Sequence, residues 1–238
     1  MFFKFEAIYT CIYKKLPSTF VIKTFCDFLA HTNISIYFKL FLVLYRKINK
    51  RTDLMSCSMN DNQAFNEMMV HIPLCTHKEP SNILIIGQTS PALKKEAEKH
   101  NANIEYGDIT FLNSKNEKNI DAIILTDVKL DELVLANIDR ILKDDGLITF
   151  STQSFQSDED KLKEDLQLVG SKFWIAMPFR FGHNTSIIAS KKYHPTADLV
   201  LQRSDLLDDL EYYSSEMHQA SFVFPAAIHK ALTGIARR

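Results

Sequence analysis

Two apolar runs, Asn82-Ile83-Leu84-Ile85-Ile86-Gly87 and Asp121-Ala122-Ile123-Ile124-Leu125, decide what the middle of this chain can become. A strand with one face in water alternates apolar and polar residues. A run that is apolar at every position is covered on both faces. Segments of helical period stand between and after these runs. Residues 91–100 form one, with Ser90 placed as its N-cap and Pro91 at its first helical position. Residues 130–142 form a second, amphipathic through Leu130, Leu133, Val134, Ile138, Ile141 and Leu142, and residues 158–169 a third. Shorter strand-like stretches lie at 103–106, at 147–150 after the turn Asp144-Asp145-Gly146, at 172–177, with Phe173 and Trp174 in its core, and at 184–190. A loop over 178–183 joins the last two. Strands alternating with helices predict a mostly parallel α/β sheet with helices on both faces. The final strand pair predicts one antiparallel strand at the edge. Ahead of the sheet, residues 63–71 place Phe65, Met68, Met69 and Ile72 at helical spacing, and Pro73 is expected to end that helix.

Residues 1–58 have a different texture, rich in Phe, Tyr, Ile and Lys and without glycine. They are read as a small separate segment containing a half-buried strand at 31–37, and residues 59–238 as the main domain. An apolar, aromatic segment of this kind needs a surface to bury against, and a homodimer contact supplies one. Its most apolar stretch, residues 34–45, contains Lys39 and falls short of the roughly 20 residues a membrane-spanning helix needs. Glu6, Lys14 and Lys15 interrupt any signal-peptide core. The chain of 238 residues carries a net charge of −1, so no bulk field draws nucleic acid or anionic lipid. Cys11, Cys26, Cys57 and Cys75 show no disulfide or metal spacing, which suits a reducing cytoplasm.

In an open α/β sheet, ligands sit beyond the carboxyl ends of the strands. That directs attention to Gly87 through Ser90, Glu105 through Asp108, Thr126 through Lys129, and Ser151 through Gln153. Gly87 permits close backbone approach to a ligand, or simply ends a strand. Glu105 and Asp108 fall near the 20-residue offset at which an acid meets ribose hydroxyls, although either also suits a solvated loop. Asp127 is the only acid at its strand end. It can attract a cationic substrate, take a proton, or cap the following helix. His71, Cys75 and His77 are metal-ligand types, but Pro73 breaks the geometry between them and no second cluster completes a tetrahedron, so no metal is expected.

Two further segments carry a resemblance. Phe65-Asn66-Glu67-Met68, opening a run to Leu74, is similar to the Tyr-Gln/His-Glu-Met motif of the spermidine synthases, the polyamine aminopropyltransferases. Tyr212-Tyr213-Ser214-Ser215-Glu216-Met217-His218-Gln219-Ala220-Ser221-Phe222 resembles that family's C-terminal region. The likeness covers residues 62–232 and is strongest to the divergent type of Helicobacter. It implies a Rossmann-like, methyltransferase-type sheet behind a small N-terminal β segment. It also implies aminopropyl transfer from decarboxylated S-adenosylmethionine to putrescine in a homodimer, with no tightly bound cofactor. The family's catalytic aspartate falls on Thr126, with Asp127 one step late. Its nucleoside-binding positions fall on Gly87, Ser90 (an aspartate in the family), Glu105 and Asp108. Its polyamine-contacting positions fall on Phe65, Asn66 and Phe179, where the family has tyrosines at the first and last. A further family aspartate falls on Lys129, which repels a diamine. The short connection from Gly87 to Asp121 implies that a strand and a helix have been lost there. Three readings stay open: an aminopropyltransferase using Asp127, a non-catalytic relative keeping the fold for nucleoside sensing or dimerisation, and an S-adenosylmethionine-dependent methyltransferase.

Overall fold

The computed structural model describes residues 61–115 and 117–237. The strand, dimer and membrane expectations for residues 1–58 lie outside them. The elements in chain order are α1 (Asp61–Thr76), β1 (Asn82–Gly87), α2 (Pro91–Glu98), β2 (Asn103–Gly107), α3 (Phe111–Ser114), β3 (Ile120–Thr126), α4 (Glu132–Ile141), β4 (Leu142–Thr152), α5 (Glu159–Gly170), β5 (Ile175–Phe181), β6 (Asn184–Ser190), α6 (Leu201–Asp205), α7 (Ser215–Ser221) and α8 (Ala226–Ala231).

The strands form one sheet in the order β2-β1-β3-β4-β6-β5. β2, β1, β3 and β4 run parallel, and β6 is antiparallel to both β4 and β5. The antiparallel strand therefore lies inside the sheet, and β5 takes the edge. Side-chain alternation along the strands divides the core in two. Leu84, Ile86, Ile123, Leu125, Ile148 and Phe150 face α4 and α5. Ile83, Ile85, Ala122, Ile124, Leu147 and Ile188 face α1 and α2. Ser90, Asp131 and Asp158 cap α2, α4 and α5 through their side chains.

Three boundaries differ from the sequence reading. α1 runs through Pro73 to Thr76. Proline costs that helix a hydrogen bond, but Leu74 and Cys75 beyond it are fully buried and their burial offsets the loss. The Arg203 guanidinium then donates to the terminal carbonyls of Leu74, His77 and Lys78. The turn Asp144-Asp145-Gly146 lies inside β4 as an irregularity: Ile120 pairs with Leu142 and Ala122 with Leu147, so the intervening residues bulge out. β5 starts later than expected, at Ile175, and contains Pro178, which an edge strand accommodates. Trp174 stands before the strand and is 79% exposed, whereas its neighbour Phe173 is buried. The loop to β6 is only Gly182 and His183.

The C-terminal segment packs on both layers. Tyr213 and Phe222 join the α1 side, Phe224, Ile228 and Leu232 the α4 side. Arg237 then bridges to Ala176 on β5 through two backbone hydrogen bonds of 2.9 Å. Among the described residues, no helix is long and apolar enough to cross a membrane.

Candidate functional site

β1 and β3 lie side by side with Gly87 in register with Thr126, and β2 flanks β1 on its other side with Gly107 opposite Ile86. The chain order reverses at this point. A crevice between β1 and β3 at the carboxyl ends follows, and it brings Gly87, the Gly107–Asp108 corner and Asp127 to one end of the sheet.

Gly87 has φ +109°, and a Cβ there would lie 1.8 Å from the Thr126 carbonyl oxygen. Only glycine lets the two strand ends meet. The Thr126 hydroxyl is buried and donates to the carbonyls of Gln88 at 2.7 Å and Ile86 at 3.2 Å. It fixes the turn leaving β1, and its one proton is committed to these carbonyls.

Asp127 follows with φ +55°, a left-handed conformation that a short polar side chain tolerates. It does not cap α4. That role belongs to Asp131, whose carboxylate accepts from the Val134 amide at 2.8 Å. The Asp127 carboxylate is exposed and makes no hydrogen bond or ion pair among the described residues. It opens on a cleft of about 390 Å³ between the loops after β3 and β4, with Lys129, Ser151 and Gln153 also lining it. Lys161 and Asp165 line the far side and neutralise each other at 2.8 Å, and the Thr152 hydroxyl donates to Asp165 at 2.6 Å. Lys161 and Asp165 were not legible as site residues, because α5 carries them in a pattern indistinguishable from a solvated helix face. A larger cleft of about 470 Å³ runs along the outer side of β2, by Lys99, His100 and Ala102. It follows the sheet edge from Ala102 to Tyr106, and none of Gly87, Thr126 and Asp127 lines it.

Ser90 and Asn66 come together across α1 and α2: the Ser90 hydroxyl donates to Asn66 Oδ1 at 3.4 Å while accepting from the Leu93 amide. Phe65 is half-buried with its ring 6.2 Å from Phe181. Phe179 is fully buried between Phe181 and Phe222, and so belongs to the core as this face is arranged. The two acids after β1 differ. Glu105 lies within β2, and both its oxygens engage Lys115, at 2.8 and 2.7 Å. Asp108 lies at the strand end. Its Oδ1 accepts from the Thr110 hydroxyl and the Phe111 amide, which hold the carboxyl below its usual range, while Oδ2 makes no such bond among the described residues.

Glu67 joins the two segments on which the sequence resemblance rests. Its carboxylate is fully buried, and accepts from the amides of Glu211, Tyr212 and Tyr213 at 2.8–2.9 Å and from the Gln63 side chain. Burial alone would raise its pKa, but these donors, the Tyr213 amide foremost, override it and lower it. Beside it runs a second buried chain. His100 Nε2 meets His71 Nδ1 at 2.9 Å, His71 Nε2 meets Glu96 at 3.1 Å, and Lys99 meets Glu96 at 2.7 Å. Burial pushes His100 down to about 3 and lowers His71. Glu96, which burial opposes, is held at about 2 by its bonds from His71 and Lys99. The ionised carboxylate thus accepts a hydrogen bond from His71 Nε2–H, and His71 Nδ1 accepts from His100.

The trio His71, Cys75 and His77 does not gather. His77 instead faces Asp121 and Asp145, with donor atoms within 4.8 Å of one another. This set does not fit a cation. The Glu79 amide donates to His77 Nδ1, which puts the ring proton on Nε2, the atom a metal would need, and Lys143 already neutralises Asp121 at 2.7 Å.

Sheet order and parallel core define a Rossmann-like, methyltransferase-type α/β protein with its topological switch point between β1 and β3. No protein-family model matches the chain. It is similar to the polyamine aminopropyltransferase of Helicobacter pylori (strain HPAG1), 27% identical over 191 residues, covering 67% of this chain and 73% of the relative. It is similar also to that of Methanocaldococcus jannaschii, 25% identical over 215 residues, covering 68% and 73%. Among solved structures, spermidine synthase from Thermotoga maritima superposes with a TM-score of 0.62 at 22% identity, over 71% of this chain and 74% of that one. The relatives bear out the resemblance to the polyamine aminopropyltransferase family, and the superposition bears out the fold.

Proposed function

We propose that this protein transfers an aminopropyl group from decarboxylated S-adenosylmethionine to an amine acceptor, with putrescine the acceptor that the family resemblance supplies. One observation carries the reading: a carboxylate with no partner among the described residues, that of Asp127, stands at the carboxyl end of β3 beside the glycine-pinned crevice. This occurs in a chain whose curated relatives are polyamine aminopropyltransferases.

The nucleoside lies in the crevice. Gly87 lets backbone approach it, the Ser90 hydroxyl stands at the N-terminus of α2, and Asp108 Oδ2, with no hydrogen bond among the described residues, accepts from ribose hydroxyls. Glu105, saturated by Lys115, supports the strand instead. The acceptor amine enters the cleft beyond Asp127. Its nitrogen lone pair forms the new bond to the propyl carbon attached to sulfur, and the electron pair of that carbon–sulfur bond leaves with sulfur. The sulfonium becomes a neutral thioether, and Asp127 takes the amine proton. Thr126 positions this loop. Phe65 and Asn66 border the crevice from α1, and Phe179 backs that wall from the core.

Asp127→Asn tests the assignment. Asparagine tolerates the left-handed backbone, so the loop stays in place while basicity is lost. Turnover falls about a hundredfold, and binding of 5′-methylthioadenosine is kept. A variant as active as the parent removes Asp127 from the chemistry. The same reading includes a homodimer built partly from residues 1–58, tested by sedimentation at micromolar concentration, and a cytoplasmic location.

A further inference from the structure

β2 is the open edge of the sheet. Among the described residues no strand lies beyond it, and between β2 and β3 they form only the short helix α3. The Asn103 amide donates to the Ser81 carbonyl at 2.7 Å. Peptide groups alternate in direction along a strand. Asn103, Glu105 and Gly107 therefore turn theirs to β1, and Ile104 and Tyr106 turn their N–H and C=O groups to the open side. β2 contains no proline and pairs with β1 in unbroken register, so neither of these common protections of a sheet edge is in place. The cleft of about 470 Å³ runs along this edge, with Glu98, Asn101, Ile104 and Tyr106 among its lining residues. On α2, Lys94 and Glu98 are exposed, and neither has an ion pair among the described residues.

We propose that this edge is a contact between two copies of the chain, with β2 pairing antiparallel to β2 of the second copy across a twofold axis at Glu105. An axis there sets Ile104 opposite Tyr106 of the second copy, and Tyr106 opposite its Ile104. These are the residues whose peptide groups face outward, so each exchanges both N–H···O bonds with the residue opposite. Their side chains lie on the α1 and α2 face, where an aliphatic chain meets an aromatic ring. Glu105 meets its own copy on the other face. Each brings Lys115, held at 2.7 Å, so the two carboxylates do not meet bare. The charges on α2 match in the same way. Lys94 is level with Tyr106, its ammonium 4.9 Å from the ring centroid. Glu98, one turn further along α2, lines the cleft with Ile104. The axis that exchanges the levels of Ile104 and Tyr106 exchanges these two as well, so Lys94 of each copy faces Glu98 of the other. A bare edge accepts any extended peptide; this crossed charge pair selects a second copy. The contact is independent of the aminopropyl-transfer reading.

Charge exchange on the full-length protein tests it, read by sedimentation equilibrium and by amide exchange. Lys94→Glu alone, or Glu98→Lys alone, turns both crossed attractions into repulsions and weakens association about tenfold or more. The double variant Lys94→Glu with Glu98→Lys restores it. Both residues are exposed on α2, and thermal melting by circular dichroism checks that each variant keeps the fold. Any contact through residues 1–58 is untouched by these changes, so where both contacts exist the mass falls by half and not to that of the monomer. In the assembled parent the Ile104 and Tyr106 amides are protected; they open on dilution and in Lys94→Glu, while Asn103 and Glu105, bonded to β1, stay protected throughout. A parent whose mass matches that of both single variants overturns the proposal. So does protection of Ile104 and Tyr106 that survives dilution and Lys94→Glu alike, because cover from within one chain does not depend on concentration. Free exchange of those two amides in the parent overturns it as well.

Discussion

Replacing Glu67 with alanine tests what holds the C-terminal segment to the body of the protein. Its two oxygens accept four hydrogen bonds: Oε2 from the Tyr212 and Tyr213 amides, both at 2.8 Å, and Oε1 from the Glu211 amide at 2.9 Å and Gln63 Nε2 at 2.8 Å. Alanine removes the acceptor and strands three backbone donors, two of them on residues packed into the α1 side of the core. Each stranded donor costs about 1–3 kcal/mol. Relaxation at the more exposed Glu211 admits water, so the lower end of the sum applies, and the loss is about 3–5 kcal/mol. Glutamine keeps one oxygen. With it turned toward the Tyr212 and Tyr213 amides, only the Glu211 and Gln63 contacts suffer, and the cost falls to about 2 kcal/mol. Urea unfolding followed by circular dichroism gives the stabilities, and amide exchange locates the change. Exchange at Tyr212 and Tyr213 accelerates before the sheet amides do. A Glu67→Ala protein within about 0.5 kcal/mol of the parent, with those two amides still protected, refutes the clamp.

Acid should destabilise the fold in two overlapping stages. Depressed folded pKa values mean that the unfolded chain binds protons first, so stability is complete above the unfolded value and declines below it. For His100, with a folded pKa of about 3, the decline starts near its ordinary 6.5, and His218, at about 4, adds to it. For Glu96, at about 2, the decline starts near 4.5. Melting temperature followed against pH should fall from about 6.5 downward, and His100→Gln should flatten the limb above pH 4.5; an unchanged limb would remove His100 from this behaviour. Gly87→Ala places a Cβ against the Thr126 carbonyl at a positive φ, and should cost about 3 kcal/mol or more. It should also abolish 5′-methylthioadenosine binding in whatever protein remains folded, and a variant of parental stability that binds normally would show that the strand ends do not meet.

The sequence by itself determined the layers and most of the elements. Ile83 to Ile86 and Ala122 to Leu125 are apolar at every position, and a strand of that kind has no stable place except between two helical layers. Local capping chemistry at Ser90 and Pro91 set the start of α2 for the same reason: the signal and the structure occupy the same few residues. Local signals misled where distant packing outweighed them. Pro73 does not stop α1, because the burial of Leu74 and Cys75 and the Arg203 clamp act from outside the helix. Asp144-Asp145-Gly146 does not separate helix from strand, because the β3 ladder reaches past it to Leu142. At the site, strand periodicity placed Gly87, Asp108 and Asp127 at one end of the sheet. It did not reveal which of their polar groups are spent. Thr126 loses its hydroxyl to Gln88 and Ile86, Glu105 loses its carboxylate to Lys115, and Asp127 keeps its own because Asp131 caps α4. A residue's type states what it can bond. Which bonds are already made depends on neighbours up to 146 positions away, as Glu67 and Tyr213 are, and only the tertiary structure brings those into contact.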